Sequence, residues 1–211
     1  MNFTRETLPE DWPGSDPKAL CARLAPGSWM IEAGHQPPLS HDPERFPLGE
    51  GLTGGLALSL SSATLIGLSL GPALVDRLSA LGLPLGPMAG LALHELIVNA
   101  VIHGNLRVEA GRSVDWADLA KRQATLADAL TDPTRTTRMV TIAAYWRADD
   151  VVVAIVDEGE GYDVSAPRVT KSGSGRGLRL ARMVGRVDVL SGGSRTTITM
   201  KTQLPSKEGA A

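Results

Sequence analysis

Apolar residues recur along the chain at two spacings, which predict where strands and helices lie. Residues 56–61 have the apolar character of a strand. Residues 73–83 carry apolar side chains at helical spacing, at Leu74, Val75, Leu78 and Leu81. These patterns predict a strand followed by a helix.

The clearest helical pattern lies between Pro87 and Gly104. Proline is favoured in the first turn of a helix, and glycine commonly ends one. Between them, apolar residues recur at helical spacing, at Leu91, Leu93, Leu96, Ile97, Ala100 and Val101. We refer to this predicted element as the central helix.

A further amphipathic helix is predicted over residues 114–130, with a cap at Ser113 or Asp115. Asp132-Pro133 would end it. Its apolar stripe consists of Trp116, Leu119, Ala120, Leu126, Ala127 and Leu130.

The last third of the chain is predicted to contain most of the strands. Residues 138–147 and 151–156 are β-rich, and the turn between them at Asp149-Asp150 predicts an antiparallel hairpin. After a glycine-rich loop, residues 178–184 predict a helix. Two more strands are predicted at 187–190 and 196–202.

The first fifty residues hold eight of the fourteen prolines. Proline fixes φ and removes a backbone donor, so long regular elements are disfavoured. We expect an extended arm with a turn of helix near residues 18–24. Its large apolar residues, Trp12, Trp29, Ile31 and Phe46, indicate packing on the main domain or on a second subunit. The chain is predicted to divide into this arm at 1–50, a main domain at 51–204 and a flexible tail at 205–211.

Helices that precede a run of strands are typical of the α+β class. We predict a two-layer α/β sandwich in which a mixed, mostly antiparallel sheet packs on helices. A strict βαβ nucleotide fold is disfavoured, because the chain has no Gly-Lys pair for a phosphate-binding loop. In addition, Gly159-Glu160-Gly161 lacks the third glycine of a dinucleotide fingerprint.

The composition narrows the class of protein. The chain has 211 residues, of which 43% are apolar and 21% charged, and its net charge is −2. These values exclude a disordered polyelectrolyte and a strongly basic nucleic-acid binder. The single cysteine, Cys21, cannot form a disulfide framework, which favours a reducing compartment and hence the cytoplasm. Neither a signal peptide nor a membrane span is expected, because the N-terminus is acidic and proline-rich and polar residues interrupt the apolar stretch 54–70.

Three polar residues follow one another at intervals of four on the central helix: Glu95, Asn99 and His103. Residues at this spacing share one helix face. A solvated stripe explains such a row. A catalytic carboxylate beside an amide that ligates Mg²⁺ through oxygen explains it equally well. Spacing alone does not decide between the two.

The other histidines do not indicate a metal site. His94-Glu95 begins like a zinc-protease motif, but Val98 stands where the second histidine ligand is required. His35 and His41 lie in the proline-rich arm, and we expect them to be exposed loop residues.

Two glycine-rich segments could also carry chemistry. In the first, Asp157 directly follows an apolar strand, and Gly159 and Gly161 allow a tight backbone beside a bound ring. An ordinary turn has the same pattern. The second, residues 172–178, opens a predicted helix, where flexibility and backbone donors suit phosphate. A linker has the same composition.

Together, and in this order, these segments resemble the motifs of one family. Residues 95–104 look like its N box, Asp157-x-Gly159-x-Gly161 like its first glycine box, and Gly173-x-Gly175-x-Gly177-Leu178 like its second. Residues 196–200 look like its closing strand. The family is the Bergerat-fold, histidine-kinase-like ATPases, which include gyrase and the sensor histidine kinases. The chain is most similar to the anti-sigma-factor serine kinase branch, over roughly residues 56–201.

The resemblance implies that ATP and Mg²⁺ are bound. Glu95 would be the base that activates the attacking hydroxyl or water. Asn99 would hold Mg²⁺ against the phosphates, and His103 would lie close to them. Asp157 would accept a hydrogen bond from the adenine amino group, supported by the hydroxyl of Thr196.

The resemblance also assigns roles to the glycines. Gly159 and Gly161 would give the adenine room. Gly173, Gly175 and Gly177 would let residues 162–174 close as a lid. Phosphate would bind backbone amides at the start of the following helix, at Gly175, Arg176, Gly177 and Leu178.

Three features depart from the family's pattern. The arm lies outside the resemblance. About fifty residues separate the N box from the first glycine box, more than in compact anti-sigma kinases and similar to relatives found next to bacterial response regulators. Arg195 stands where a glycine usually precedes the threonine.

The function implied is that of an ATP-dependent serine/threonine protein kinase of the anti-sigma, partner-switching type. It would phosphorylate a small antagonist protein, with a sigma factor or response regulator as a further partner. Glu95 favours this branch, because sensor histidine kinases usually have asparagine there. The alternatives are the ATP-binding domain of a two-component histidine kinase system, a non-catalytic nucleotide-gated module, and an α/β domain that binds no nucleotide. A homodimer is the expected assembly, with neither nucleic acid nor membrane as partner.

Overall fold

The structure is a computed structural model. It describes residues 2–9, 12, 15–47, 49–109, 116–160, 176–190 and 194–203. Within these ranges, no helix is both long and apolar enough to cross a membrane.

A seven-stranded mixed sheet forms the centre of the protein. Its strands are β1 (Thr4–Thr7), β2 (Ser28–Ile31), β3 (Gly54–Ser61), β4 (Met139–Trp146), β5 (Asp150–Val156), β6 (Arg186–Val189) and β7 (Arg195–Lys201). Their order is β1-β2-β3-β4-β5-β7-β6. The pairings β1–β2 and β2–β3 are parallel, and the other four are antiparallel. The predicted α+β class and the β4–β5 hairpin are confirmed.

Helices pack against this sheet. They are α1 (Pro17–Arg23), α2 (Ser62–Leu65), α3 (Leu70–Ala80), α4 (Ala89–Asn99), α5 (Trp116–Leu130), α6 (Pro133–Thr136) and α7 (Arg176–Val184). A π-helical turn, Ala100–Asn105, continues α4. The predicted central helix is therefore present, from two residues after Pro87 to one residue past Gly104.

The main core lies between the sheet and the helices. On β3, Leu56, Leu58 and Leu60 point into it, because alternate residues of a strand face the same side. The helix α4 lies against α3 at a close crossing. A Cβ atom added at Gly71 would overlap the backbone oxygen of Gly90 and the backbone nitrogen of His94. This close approach holds α4 in place over the sheet.

The proline-rich arm covers the opposite face of the sheet. Its Trp29, Ile31 and Phe46 are buried in a second cluster with residues of β4 and β5. The Tyr145 hydroxyl on β4 donates to the backbone oxygen of Pro43 in the arm at 2.6 Å. Of the two packing alternatives predicted from the sequence, the structure shows packing on the chain's own sheet.

The prediction that His41 is exposed is wrong, because its side chain is fully buried. His41 Nδ1 lies 3.0 Å from the Thr141 hydroxyl, which lies 2.6 Å from the hydroxyl of Ser59. The indole nitrogen of Trp29 donates to Ser59 at 2.8 Å. Burial lowers the pKa of His41, and the Asp157 backbone opposes that shift. Polar groups on the strands supply the partners, and nothing in the arm's own sequence indicates them.

Candidate functional site

Glu95 and Asn99 lie one turn apart on α4, both half-buried, against the start of α7. A Cβ atom at Gly177 would lie 2.8 Å from Glu95 Oε2 and 3.2 Å from Asn99 Nδ2. Glycine at this position therefore lets the first turn of α7 lie directly against these two side chains. The arrangement places a carboxylate and an amide beside the N-terminus of a nine-residue helix.

The π-helical turn changes the position of the third residue in the row. A π turn adds a residue to the helical repeat, so His103 no longer stacks on Asn99 as in a regular α-helix. The His103 side chain is exposed, and its Nδ1 donates to the Val108 backbone oxygen at 2.6 Å. This contact leaves Nε2 as the acceptor nitrogen of the neutral ring.

Asp157 follows β5, and its carboxylate lies between two glycines. A Cβ atom at Gly104 would lie 2.5 Å from Asp157 Oδ1, and one at Gly159 would lie 2.7 Å from the same oxygen. The Gly159 amide donates to Oδ1 at 2.8 Å. We call Gly104 and Gly159 the glycine cradle. It brings together the end of the N box and the first glycine box, more than fifty positions apart in the sequence.

The glycine cradle also changes the acidity of the carboxyl group. Burial raises the pKa of Asp157 to about 6, the neighbouring Glu158 adds to the rise, and the Gly159 amide opposes it. Near pH 7 the carboxylate is still mostly ionised and can only accept hydrogen bonds. A half-buried carboxylate whose pKa is raised this close to neutrality is typical of functional sites.

Asn105 supports the glycine cradle and was missed by the sequence predictions. Its buried amide donates to Ser62 Oγ at 2.8 Å and to the backbone oxygens of Met139 and Arg138 at 3.1 and 3.2 Å. Its Oδ1 accepts from the Glu158 amide at 2.7 Å. The end of the π turn is thereby attached to the start of β4 and to the residue after Asp157. The sequence signal is weak, because asparagine after a glycine at a helix end is also an ordinary turn residue.

Residues of β7 lie next to the site. Thr196 pairs with Ile155, two residues before Asp157, and alternation places it on the helix side of the sheet. Arg195 points to the other face, where its guanidinium carbon lies 5.5 Å from the ring centre of Phe46. Arg195, the residue that departs from the family's pattern, therefore contacts the arm and lies on the face of the sheet opposite to Thr196. Leu178 on α7 is half-buried against the main core.

Several predicted site residues lie outside the described ranges. These are Gly161, Gly173, Gly175 and the side chain of Arg176, together with the lid predicted at 162–174. Within the ranges that are described, no cluster of three or more His, Cys, Asp or Glu side chains is arranged to hold a metal ion.

Two surface clefts lie away from these residues. One, of about 620 Å³, lies within the arm, next to Arg5, Trp29 and Pro38. The other, of about 740 Å³, lies at the far end of α7, next to Met88 and Met183. The candidate site is therefore defined by the glycine cradle and the Glu95–Asn99 pair, which neither cleft includes.

Comparison with known proteins assigns no family. No protein-family model matches the chain, and no curated protein is significantly similar to it in sequence.

Proposed function

We propose that the chain is an ATP-binding serine/threonine protein kinase of the anti-sigma, partner-switching type, with a Bergerat ATP-binding fold. It would phosphorylate a small antagonist protein. The observation that carries the proposal is the glycine cradle, in which two segments far apart in sequence lie against one half-buried carboxylate. The contact of Gly177 with Glu95 and Asn99 adds the third segment to the same side of the sheet.

The glycine cradle suits recognition of an adenine amino group. The Asp157 carboxylate is an acceptor near neutral pH, and the two glycines let the backbone approach it closely, because a Cβ atom at either position would overlap the carboxylate. In the proposal, Asp157 accepts a hydrogen bond from the adenine amino group, and the Thr196 hydroxyl supports the Asp157 side chain. Gly161 would give the adenine room.

The Glu95–Asn99 pair suits the phosphate end. The N-terminus of α7 presents backbone donors and the positive end of a helix dipole, which favour phosphate. The side-chain oxygen of Asn99 is a ligand type that Mg²⁺ accepts, and Mg²⁺ takes its other ligands from water and phosphates. Bound Mg²⁺ would neutralise phosphate charge. Glu95 would accept the proton of the attacking hydroxyl.

Isothermal titration with Mg-ATP, together with a phosphate-transfer assay, tests the proposal. Wild type is expected to bind and to hydrolyse or transfer phosphate. Glu95→Ala should bind without turnover, whereas Asn99→Ala should not bind. Glu160→Gln is a control for the loss of a carboxylate, because Glu160 lies in the first glycine box but is exposed and paired with Arg107 at 2.8 Å.

The results separate the alternatives. Binding with Glu95-dependent turnover supports the kinase. Binding by wild type without turnover favours the nucleotide-gated module. Absence of binding by wild type refutes an ATP site.

A further inference from the structure

Helix α5 exposes its apolar side. Trp116 is 85% exposed, Leu119 40% and Leu130 37%. The side of α5 that is buried or half-buried consists of Asp118, Arg122, Leu126 and Ala129. The apolar stripe predicted from the sequence is therefore outside the core, except at Leu126, which packs against it.

The intervals between the stripe's residues are the same whether the helix is read from its N-terminus or from its C-terminus. Its positions are Trp116, Leu119, Ala120, Gln123, Leu126, Ala127 and Leu130, at intervals of three, one, three, three, one and three. This is a two-heptad pattern of the kind that packs helix on helix. An antiparallel copy centred on Gln123 would place the same set of positions opposite the first.

In that arrangement, large residues meet small ones. Leu119 faces Ala127 of the copy on either side of Gln123, so a large residue packs against a small one in both inner layers. Trp116 faces Leu130 at each end. Gln123 meets the same residue of the copy, and an amide can donate to and accept from another amide. A polar residue at one core position of a helix pair sets its register.

The charges of α5 are compatible with a second copy. The charged residues of the described helix are Asp118, Lys121, Arg122 and Asp128. None of the four lies in the stripe, and their charges sum to zero. The stripe itself would therefore bring no charged residue into the interface.

The exposed face of α5 is large enough for an interface with one helix of the same length. The fifteen residues of α5 span about 22 Å. An antiparallel pair of this length buries on the order of 1,000 Å² in total, which is the lower limit for a specific interface. Trp116 alone would contribute about 200 Å² per copy. The expected dimer is thus a reversible one.

We propose that α5 is a dimerisation helix, which pairs with α5 of a second copy of this chain, antiparallel about Gln123. This interface is independent of the proposed function, since it uses no residue of the candidate ATP site.

Sedimentation velocity of the full chain tests the interface. The sedimentation coefficient of wild type should rise towards the dimer value between about 1 and 300 μM. Replacing both Leu119→Lys and Leu130→Lys should raise the dissociation constant at least ~10-fold. The control, Lys121→Glu with Asp128→Lys, keeps the net charge, alters only the charged side and should leave dimerisation unchanged. A wild-type monomer at every concentration would overturn the proposal, as would equal effects of the two double variants.

Cysteine cross-linking tests the register. Gln123→Cys should form a disulfide-linked dimer under mild oxidation, and the natural Cys21 stays silent because it is buried. Trp116→Cys should not cross-link with itself but should do so when mixed with Leu130→Cys. Self-linkage of Trp116→Cys in preference to the mixture, or linkage through Asp128→Cys, would overturn the antiparallel arrangement. Circular dichroism confirms that each variant is folded.

Discussion

At the scale of single residues, Asp157 has a proposed role in ATP binding and a cost in stability. Its pKa is raised on folding to about 6 from an ordinary value of 3.8. The folded state therefore favours the protonated form and loses stability as the pH rises from about 4 through 6. Asp157→Asn removes that charge with little change of shape.

We expect Asp157→Asn to abolish ATP binding and to raise the free energy of unfolding near pH 7 by about 1–2 kcal/mol, a value reduced for partial contact with water. The gain should disappear near pH 4, where wild type is protonated too. Urea denaturation at both pH values and calorimetry with ATP measure these effects. If the variant is less stable than wild type near pH 7, the ionised Asp157 carboxylate does not destabilise the fold, and the prediction is wrong.

Replacing two asparagines near the site by alanine should have different effects, one mainly on stability and the other mainly on ATP binding. Asn105→Ala removes its hydrogen bonds to the half-buried Glu158 amide and to the buried Met139 carbonyl, which should cost about 2 kcal/mol of stability. Asn99→Ala, at a half-buried position, should cost well under ~1 kcal/mol but abolish ATP binding. Thermal unfolding and nucleotide titration of both proteins check this division. Equal losses of stability would show that Asn99 also has a structural role.

At the scale of elements, the α3–α4 crossing determines where Glu95 and Asn99 lie. Alanine is a better helix former than glycine by about 1 kcal/mol, yet Gly71→Ala should destabilise the protein by about 2–4 kcal/mol, because the new methyl group overlaps backbone atoms of α4. Gly67→Ala is the control, since no atom lies within 4 Å of its added Cβ. Chemical denaturation of both variants measures the difference. A stabilised Gly71→Ala protein would mean that the helices can move apart freely.

Elements were predictable from the sequence wherever their apolar pattern was long. The α4 helix and the β4–β5 hairpin each extend over several repeats of their period, and both are present close to the predicted bounds. The strands β1 and β2 were missed because each has only four residues in a proline-rich region. The π-helical turn was also missed, because apolar spacing does not distinguish its wider turn from an α-helix.

At the scale of the whole molecule, the contacts between distant segments were the least predictable. The motif order pointed to Glu95, Asn99 and Asp157, but the network around Asn105 depends on backbone groups that carry no sequence signature. The burial of His41 depends likewise on hydroxyls a hundred positions away. A periodic pattern shows which side of an element is apolar, and α5 shows that this side is not always in the core.

The arm packs on the outer face of the sheet and forms a second core there. Removing the arm should therefore lower the stability of the whole protein. Phe46, which is 8% exposed, packs with Tyr145 of β4 and beside Arg195 of β7. We expect Phe46→Ala to lower the free energy of unfolding by about 3 kcal/mol. Leu39→Ala, in the same arm but 72% exposed, should leave it unchanged. Denaturant unfolding measures both.

A chain that begins at residue 51 extends this test to the whole arm. It would expose Ala57, Met139 and Tyr145 to water and turn β3 into an edge strand, so we expect aggregation or strong binding of a hydrophobic dye. A soluble truncated protein that unfolds cooperatively and binds ATP as well as the full chain would show that the sheet does not need its arm. The physical reason to expect otherwise is that an apolar sheet face must be covered, and within the described residues the arm is what covers it.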